Sequence, residues 1–96
     1  MVPDEHNFYL GNNFPNPFSK ITEIPYYLPE TSRVKITLMN LVGEEIAVIY
    51  DGNQSQGIYN LSFDGSKLSA GMYVYRMTAS GNNGSFDQSR MLIINR

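Results

Sequence analysis

The chain predicts an all-β fold, an immunoglobulin-like antiparallel β-sandwich of about seven strands. Two patterns carry that expectation. Apolar and polar residues alternate along most of the chain, and no window sustains an apolar i, i+3, i+4, i+7 stripe long enough for a helix. Turn formers break the alternation at short intervals, as at Pro29-Glu30, Gly43, Asp64-Gly65-Ser66 and Asn82-Asn83-Gly84. The length of 96 residues fits one domain with its own core. Residues 1–7 read as a flexible leader and residues 8–96 as the sandwich.

The first strand is predicted around Phe8-Tyr9-Leu10, continuing irregularly toward Phe14. Asn13-Phe14-Pro15-Asn16-Pro17-Phe18 follows. Each proline fixes its own φ and pushes the preceding residue toward extended geometry, so this segment is a kinked, extended connection and not a helix. The second strand runs from Thr22 to Leu28 with Ile24, Tyr26 and Leu28 inward. Pro25 removes a ladder donor, which predicts a sheet edge or a bulge there. The third strand is Arg33 to Asn40, with Val34, Ile36 and Leu38 inward.

A turn at Leu41-Val42-Gly43-Glu44 leads to a fourth strand, Glu45 to Tyr50, with Ile46, Val48 and Tyr50 inward. Asp51-Gly52-Asn53 reads as a turn, and the fifth strand is Ile58 to Phe63 with Tyr59, Leu61 and Phe63 on one face. Leu68 caps the core from a short loop. The sixth strand, Met72 to Ala79, turns Tyr73, Tyr75 and Met77 inward. Asn82-Asn83-Gly84 suits a hairpin with left-handed residues. The seventh strand is Phe86 to Ile94, with Met91 and Ile93 as its expected core members. Cys and Trp are absent, so the core rests on Tyr, Phe, Leu, Ile and Met.

Composition excludes several function classes. The net charge of −2 gives no basic surplus for a nucleic-acid backbone, and none is expected as a partner. Without Cys there is neither a disulfide framework nor a thiolate metal site. The single histidine, His6, falls in the leader, where it lacks the oriented setting of a catalytic base. Glu44 and Glu45 are neighbours, and neighbours in extended chain point to opposite sides, so they form a solvated turn and not an acid–base pair. Asp51 and Asp64 read as turn formers. No catalytic residue, metal site or small-molecule cofactor is predicted.

The tyrosines admit two readings. Tyr73 and Tyr75 fit the core, whereas Tyr27, opposite in phase to Tyr26, is the better exposed ring for stacking on a carbohydrate. Met1 to Glu5 lacks the basic and apolar regions of a signal peptide, so the targeting sequence of an exported protein would lie upstream.

Four blocks occur in a fixed order. The first is Asn13-Phe14-Pro15-Asn16-Pro17-Phe18 followed by Ile24, Tyr26 and Leu28-Pro29-Glu30. The second is Val34 to Leu38 and then Asn40-Leu41-Val42-Gly43-Glu44-Glu45-Ile46. The third is Gly57 through Phe63-Asp64, then Leu68-Ser69-Ala70-Gly71-Met72-Tyr73-Val74-Tyr75-Arg76. The fourth is Arg90 to Arg96. Together they resemble the C-terminal sorting domain of type IX (Por) secretion cargo. Asn40 and Glu44 stand where that family's turn, D-L-x-G-R-E-V, has Asp and Arg. Phe63 stands in its Trp position.

The resemblance implies a non-catalytic delivery domain at the end of a longer cargo protein of Bacteroidetes-type bacteria. Its partners would be the type IX outer-membrane translocon and a sortase-like peptidase that removes it. The implied recognition element is the terminal strand Arg90, Met91, Leu92, Ile93, Ile94, Asn95 and Arg96, read by strand addition between two flanking charges. Asn13, Pro15, Asn16, Pro17, Gly43, Gly71 and Tyr73 are the implied structural motif residues. The same pattern resembles the immunoglobulin-like domain of the flagellar hook-capping protein, which leaves a spacer or capping module as an alternative. Carbohydrate binding through exposed tyrosines is the third reading.

Overall fold

The computed structural model describes residues 6–96. Seven strands and no helix make up these residues: β1 (Tyr9–Leu10), β2 (Ile21–Leu28), β3 (Ser32–Met39), β4 (Glu45–Gln54), β5 (Gly57–Asp64), β6 (Gly71–Gly81) and β7 (Ser85–Ile94). They form two antiparallel sheets, ordered β1-β2-β5 and β4-β3-β6-β7. The fourth strand joins the third, and not the first sheet as in an antibody constant domain. Between the sheets lies an apolar core of Leu10, Phe18, Ile24, Tyr26, Leu28, Val34, Ile36, Leu38, Tyr75, Met77, Ala79, Leu92 and Ile94. Tyr59, Leu61, Phe63, Leu68 and Tyr73 pack against it. The inward phases predicted for β2, β3, β5 and β6 are therefore those observed. Of the predicted leader, positions 1–5 lie outside the described residues, and His6 is exposed.

The core carries one further immunoglobulin feature. Tyr73, near the start of β6, donates its hydroxyl to the Ser69 carbonyl four residues upstream at 2.7 Å. That is a tyrosine corner, which ties the loop between the two sheets to the strand it enters. It takes the place of the missing Cys pair and Trp as a mark of this architecture.

Two strands differ in phase from the sequence reading. In β4, Val48 opposes Thr37 and Tyr50 opposes Ile36, so Ile49 is an extra residue. This bulge splits the alternation: Tyr50 packs inward as predicted, but Ala47 and Ile49 replace Ile46 and Val48, which face solvent. The strand also runs on through Asp51-Gly52-Asn53, so these residues are not a turn. The continuing ladder with β3 holds them extended, and Asp51 pairs with Arg33 at 2.7 Å.

In β7, Leu92 and Ile94 are enclosed at 0% and 1% exposure, while Met91 is 48% exposed. Ile93, on the same outer face, is half-buried and stands outside the core cluster. The cause is Arg90. Four consecutive apolar residues fit either phase, and a preceding arginine suggests an outward position. Arg90 instead lies on the inner side at the rim, where its guanidinium reaches across to the other sheet. That fixes every later residue of the strand.

Pro25 sits in a strand with neighbours on both sides and no register break, against the expected edge or bulge. Its side toward β1 explains this. β1 ends at Leu10, and the next residue, Gly11, donates its N–H to the Pro25 carbonyl at 2.8 Å. The return bond to the Gly11 carbonyl would need the N–H that proline lacks. Tyr75, from the facing sheet, donates its hydroxyl to that carbonyl at 2.6 Å instead. A Cβ on Gly11 would lie 2.7 Å from Pro25 Cγ, so only glycine fits this approach.

The β6–β7 hairpin forms as predicted, but without left-handed residues: neither Asn82, Asn83 nor Gly84 has positive φ. The carboxylate of Glu30 accepts the N–H groups of Asn82 and Asn83 at 3.0 Å each and shapes this turn from outside.

Candidate functional site

The terminal strand and the Asn13–Phe18 segment meet at one end of the sandwich. The peptide bonds before Pro15 and Pro17 are both cis. Asn13 is buried, and its Nδ2 donates to Thr22 Oγ1 at 3.0 Å, while the Thr22 hydroxyl donates to the Pro15 carbonyl at 2.8 Å. Asn13 Oδ1 is enclosed with no hydrogen-bond partner. Phe14 is tied to Glu23 of β2 by two main-chain bonds of 2.9 Å. The segment is thereby anchored to the first sheet before it crosses to the second.

It then lies along the outer edge of β7, the last strand of its sheet. Asn16 Oδ1 accepts the Ile93 N–H at 3.0 Å, and Asn16 Nδ2 donates to the Met91 carbonyl at 3.4 Å. Phe18 continues the contact with main chain. Its N–H donates to the Ile93 carbonyl at 3.0 Å, and its carbonyl accepts the Asn95 N–H at 2.9 Å. The Phe18 ring is buried beside Ile94 against Gly65.

Neither flanking arginine is a free surface charge. Arg90 Nε donates to the Leu10 carbonyl at 2.7 Å and Arg90 Nη1 to Asn12 Oδ1 at 3.2 Å. Arg96 donates to the Gly65 carbonyl at 2.7 Å and to that of Leu68. Both donate to backbone oxygens at loop and strand ends, Arg90 to the Asn12 side chain as well, which a strongly directional guanidinium does well. What β7 presents outward near its end is Met91 and Ile93.

The other motif residues fall into two groups. Gly71 and Tyr73 are cross-strand partners of Ile94 and Leu92, so they belong to the same end of β7. Gly43 lies elsewhere, in the β3–β4 turn, with φ 88°. There Asn40 Oδ1 accepts the N–H of Val42 and of Glu44, and its Nδ2 donates to the Glu44 carboxylate at 2.7 Å. An Asn–Glu hydrogen bond thus occupies the two positions where the resemblance has Asp and Arg.

Burial pushes the Tyr75 phenol up to about 12 and does the same to Tyr26, which donates to Gln54 Oε1. On the exposed face, Arg76 holds the Asp87 carboxyl below its usual range. Asp64 is also lowered, by the Ser66 N–H it accepts, and is the turn former the sequence suggests.

Among the described residues, no group of three or more His, Asp or Glu side chains is placed to hold a metal. The depression of about 400 Å³ beside His6, Phe8 and Glu30 is open, and Glu30 there is already engaged by the Asn82 and Asn83 amides. The carbohydrate reading loses its platform: Tyr27 is only 7% exposed, because its register sets it between Tyr9 and Ile58 on adjacent strands. Tyr75 is enclosed and Tyr73 packs on the core.

What sequence reasoning missed is the pairing of Asn16 with β7, 75 and 77 residues away. Its only signal was the polar residue between two prolines. Arg90 as an inward tether was likewise hidden.

The motif residues of this small β-sandwich thus serve geometry, and β7 lies at a sheet edge. A family model described as the secretion system C-terminal sorting domain matches residues 12–95, and the chain belongs to that family. No curated protein and no solved structure matches it. Membership makes this a type IX secretion sorting signal, a domain exported to the cell surface or beyond as part of a longer precursor.

Proposed function

We propose that the domain is a delivery tag without catalytic activity, handled as a folded sandwich by the type IX outer-membrane translocon and removed from its cargo by a sortase-like peptidase. The terminal strand Arg90–Arg96 is the element engaged. Within it, Met91 and Ile93 make contact, while Arg90, Leu92, Ile94 and Arg96 hold the strand in place. One observation carries this division: Met91 and Ile93 face away from the core at the edge of a domain whose family is defined by sorting.

The test is a reporter fused between an export signal and this chain in a type IX-competent host. Removing Met91 to Arg96 would also remove Leu92 and Ile94 from the core, so that deletion alone cannot separate recognition from folding. The informative variant is Met91→Ser combined with Ile93→Ser. It should fold with an unchanged melting temperature to within a few degrees and export much less reporter. Full export by this variant would overturn the assignment of the contact residues. Failure of the unaltered chain to export the reporter would overturn the delivery role itself and favour a structural spacer.

A further inference from the structure

Strand addition needs unpaired N–H and C=O groups along an edge. At the end of β7 these groups are taken. The residues whose main chain points away from β6 alternate along the strand, and near its end they are Met91, Ile93 and Asn95. Four of their polar groups, Met91 C=O, Ile93 N–H, Ile93 C=O and Asn95 N–H, are all bonded to Asn16 or Phe18. The occupant is a surrogate strand, made of one side-chain amide and one residue of backbone. Asn suits this position physically. A carboxamide carries a donor and an acceptor spaced like those of a peptide group, so it satisfies both polarities at once.

We propose that Asn16 and Phe18 form an intramolecular strap, which closes the end of β7 to strand pairing, and that its Asn16 half must be lifted before that edge can accept an extended partner strand. The proposal rests on the reading that the export machinery engages this end of β7. Its occupant, once the strap is displaced, is an extended peptide segment of the machinery. The segment is built to be displaced locally. Asn16 is exposed, as is Pro17, and the strap touches the edge mainly through hydrogen bonds, whereas Phe18 alone is held by an enclosed ring. Lifting Asn16 and Pro17 frees the Met91 C=O and the Ile93 N–H, leaves Phe18 bonded to the Ile93 C=O and the Asn95 N–H, and leaves the β6–β7 ladder, Gly71↔Ile94 through Ser80↔Ser85, untouched. Closing the edge also suppresses premature pairing between copies of the chain.

Two readouts test it on the 96-residue chain and on the reporter fusion. In residue-resolved amide exchange, Asn16→Ala should accelerate the Ile93 N–H by about tenfold or more, since its acceptor is lost and local opening governs exchange. The Leu92 and Ile94 amides, which face β6, should keep their protection. Asn16→Asp retains the acceptor for Ile93 and loses the donor to Met91, so it should leave Ile93 protected. Unchanged exchange at Ile93 in Asn16→Ala overturns the strap, and so does loss of protection throughout β6 and β7, which would make Asn16 a folding residue. In the host, Asn16→Ala should deliver the reporter a few-fold faster, because a larger fraction of molecules presents an open edge. Equal or slower delivery with an opened edge overturns the gate while leaving the sorting role intact. Absence of delivery from the unaltered chain overturns the sorting role, whatever the exchange data show.

Discussion

At the centre of the sandwich, Ile24, Val34, Ile36, Leu38 and Met77 are enclosed by apolar neighbours. At the seam where the first ordered segment meets the last strand, Asn13, Asn16, Thr22, Tyr75 and Arg90 meet through hydrogen bonds. Apolar burial is non-directional and scales with area, so the centre supplies stability and tolerates exchange between shapes of similar volume. Hydrogen bonds contribute little net energy each, but a buried group left unpaired costs more. The seam therefore contributes less to the total and more to where things sit. It fixes β1 against Pro25, the prolines against Thr22, and the strap against β7.

The largest effect should come from the centre. Leu38 is fully enclosed in β3, the strand flanked by both β4 and β6. Leu38→Ala loses the transfer energy of its side chain and leaves a cavity, together about 3 kcal/mol. A domain this small has a margin of only about 5–15 kcal/mol, so the denaturant midpoint should fall steeply. A loss well under 1 kcal/mol would mean that the two sheets close around the gap and that the centre is less rigid than its packing suggests.

Next comes Tyr75, a seam residue whose ring lies in the core. Tyr75→Phe keeps the ring and removes the donor to the Gly11 carbonyl, which Pro25 cannot replace. The expected cost is about 1–3 kcal/mol, the range for an orphaned buried acceptor. In urea unfolding it should be clearly smaller than Leu38→Ala. A neutral result would show that water reaches Gly11.

The phenol has a pH consequence as well. Its folded value is raised to about 12 from the ordinary 10, so the stability it contributes is complete below pH 10 and is lost as pH rises toward 12. Tyr26 behaves likewise. Each should remove roughly 1.4 kcal/mol per pH unit across that window. Tyr75→Phe should flatten the alkaline limb, measured as melting temperature against pH.

The same contrast explains what was legible in the sequence. The centre could be read because period-2 alternation in β2, β3, β5 and β6 is a direct image of one buried face. It failed where alternation was not the whole rule. In β4 the extra residue Ile49 is invisible to a pattern that counts in twos. In β7 the run Met91-Leu92-Ile93-Ile94 carries no phase of its own, and the residue that sets the phase, Arg90, does so through a contact with Leu10. The family blocks were legible as an ordered string, and the match over residues 12–95 bears that out. Their geometry was not. Nothing local to Pro15-Asn16-Pro17 says that its amide closes an edge formed by residues near the opposite end of the chain, because that is long-range pairing between side chain and backbone. Tyr27 shows the converse: its outward phase was correct, yet neighbouring strands cover the ring.

The smallest effect belongs to neither region but to the exposed face of the larger sheet. Arg76 and Asp87, on adjacent strands, form an ion pair at 2.5 Å with both side chains about half exposed. Such pairs are screened and give back most of their Coulomb energy in side-chain entropy. The pair lowers the folded value of the Asp87 carboxyl, so its contribution is present above the unfolded carboxylate range near pH 4 and disappears as pH falls through the lower folded value. Asp87→Asn should therefore leave the melting temperature at pH 7 nearly unchanged and slightly flatten its decline below pH 4. Asp64, lowered instead by the Ser66 N–H, should keep contributing to that acid limb in the same variant. A large loss at neutral pH in Asp87→Asn would move this pair from solvated decoration into the class of the seam. It would mean that β7 is positioned from its outer face as well as from its strap, and the Ser89–Met91 stretch would then be more firmly held than its edge position implies.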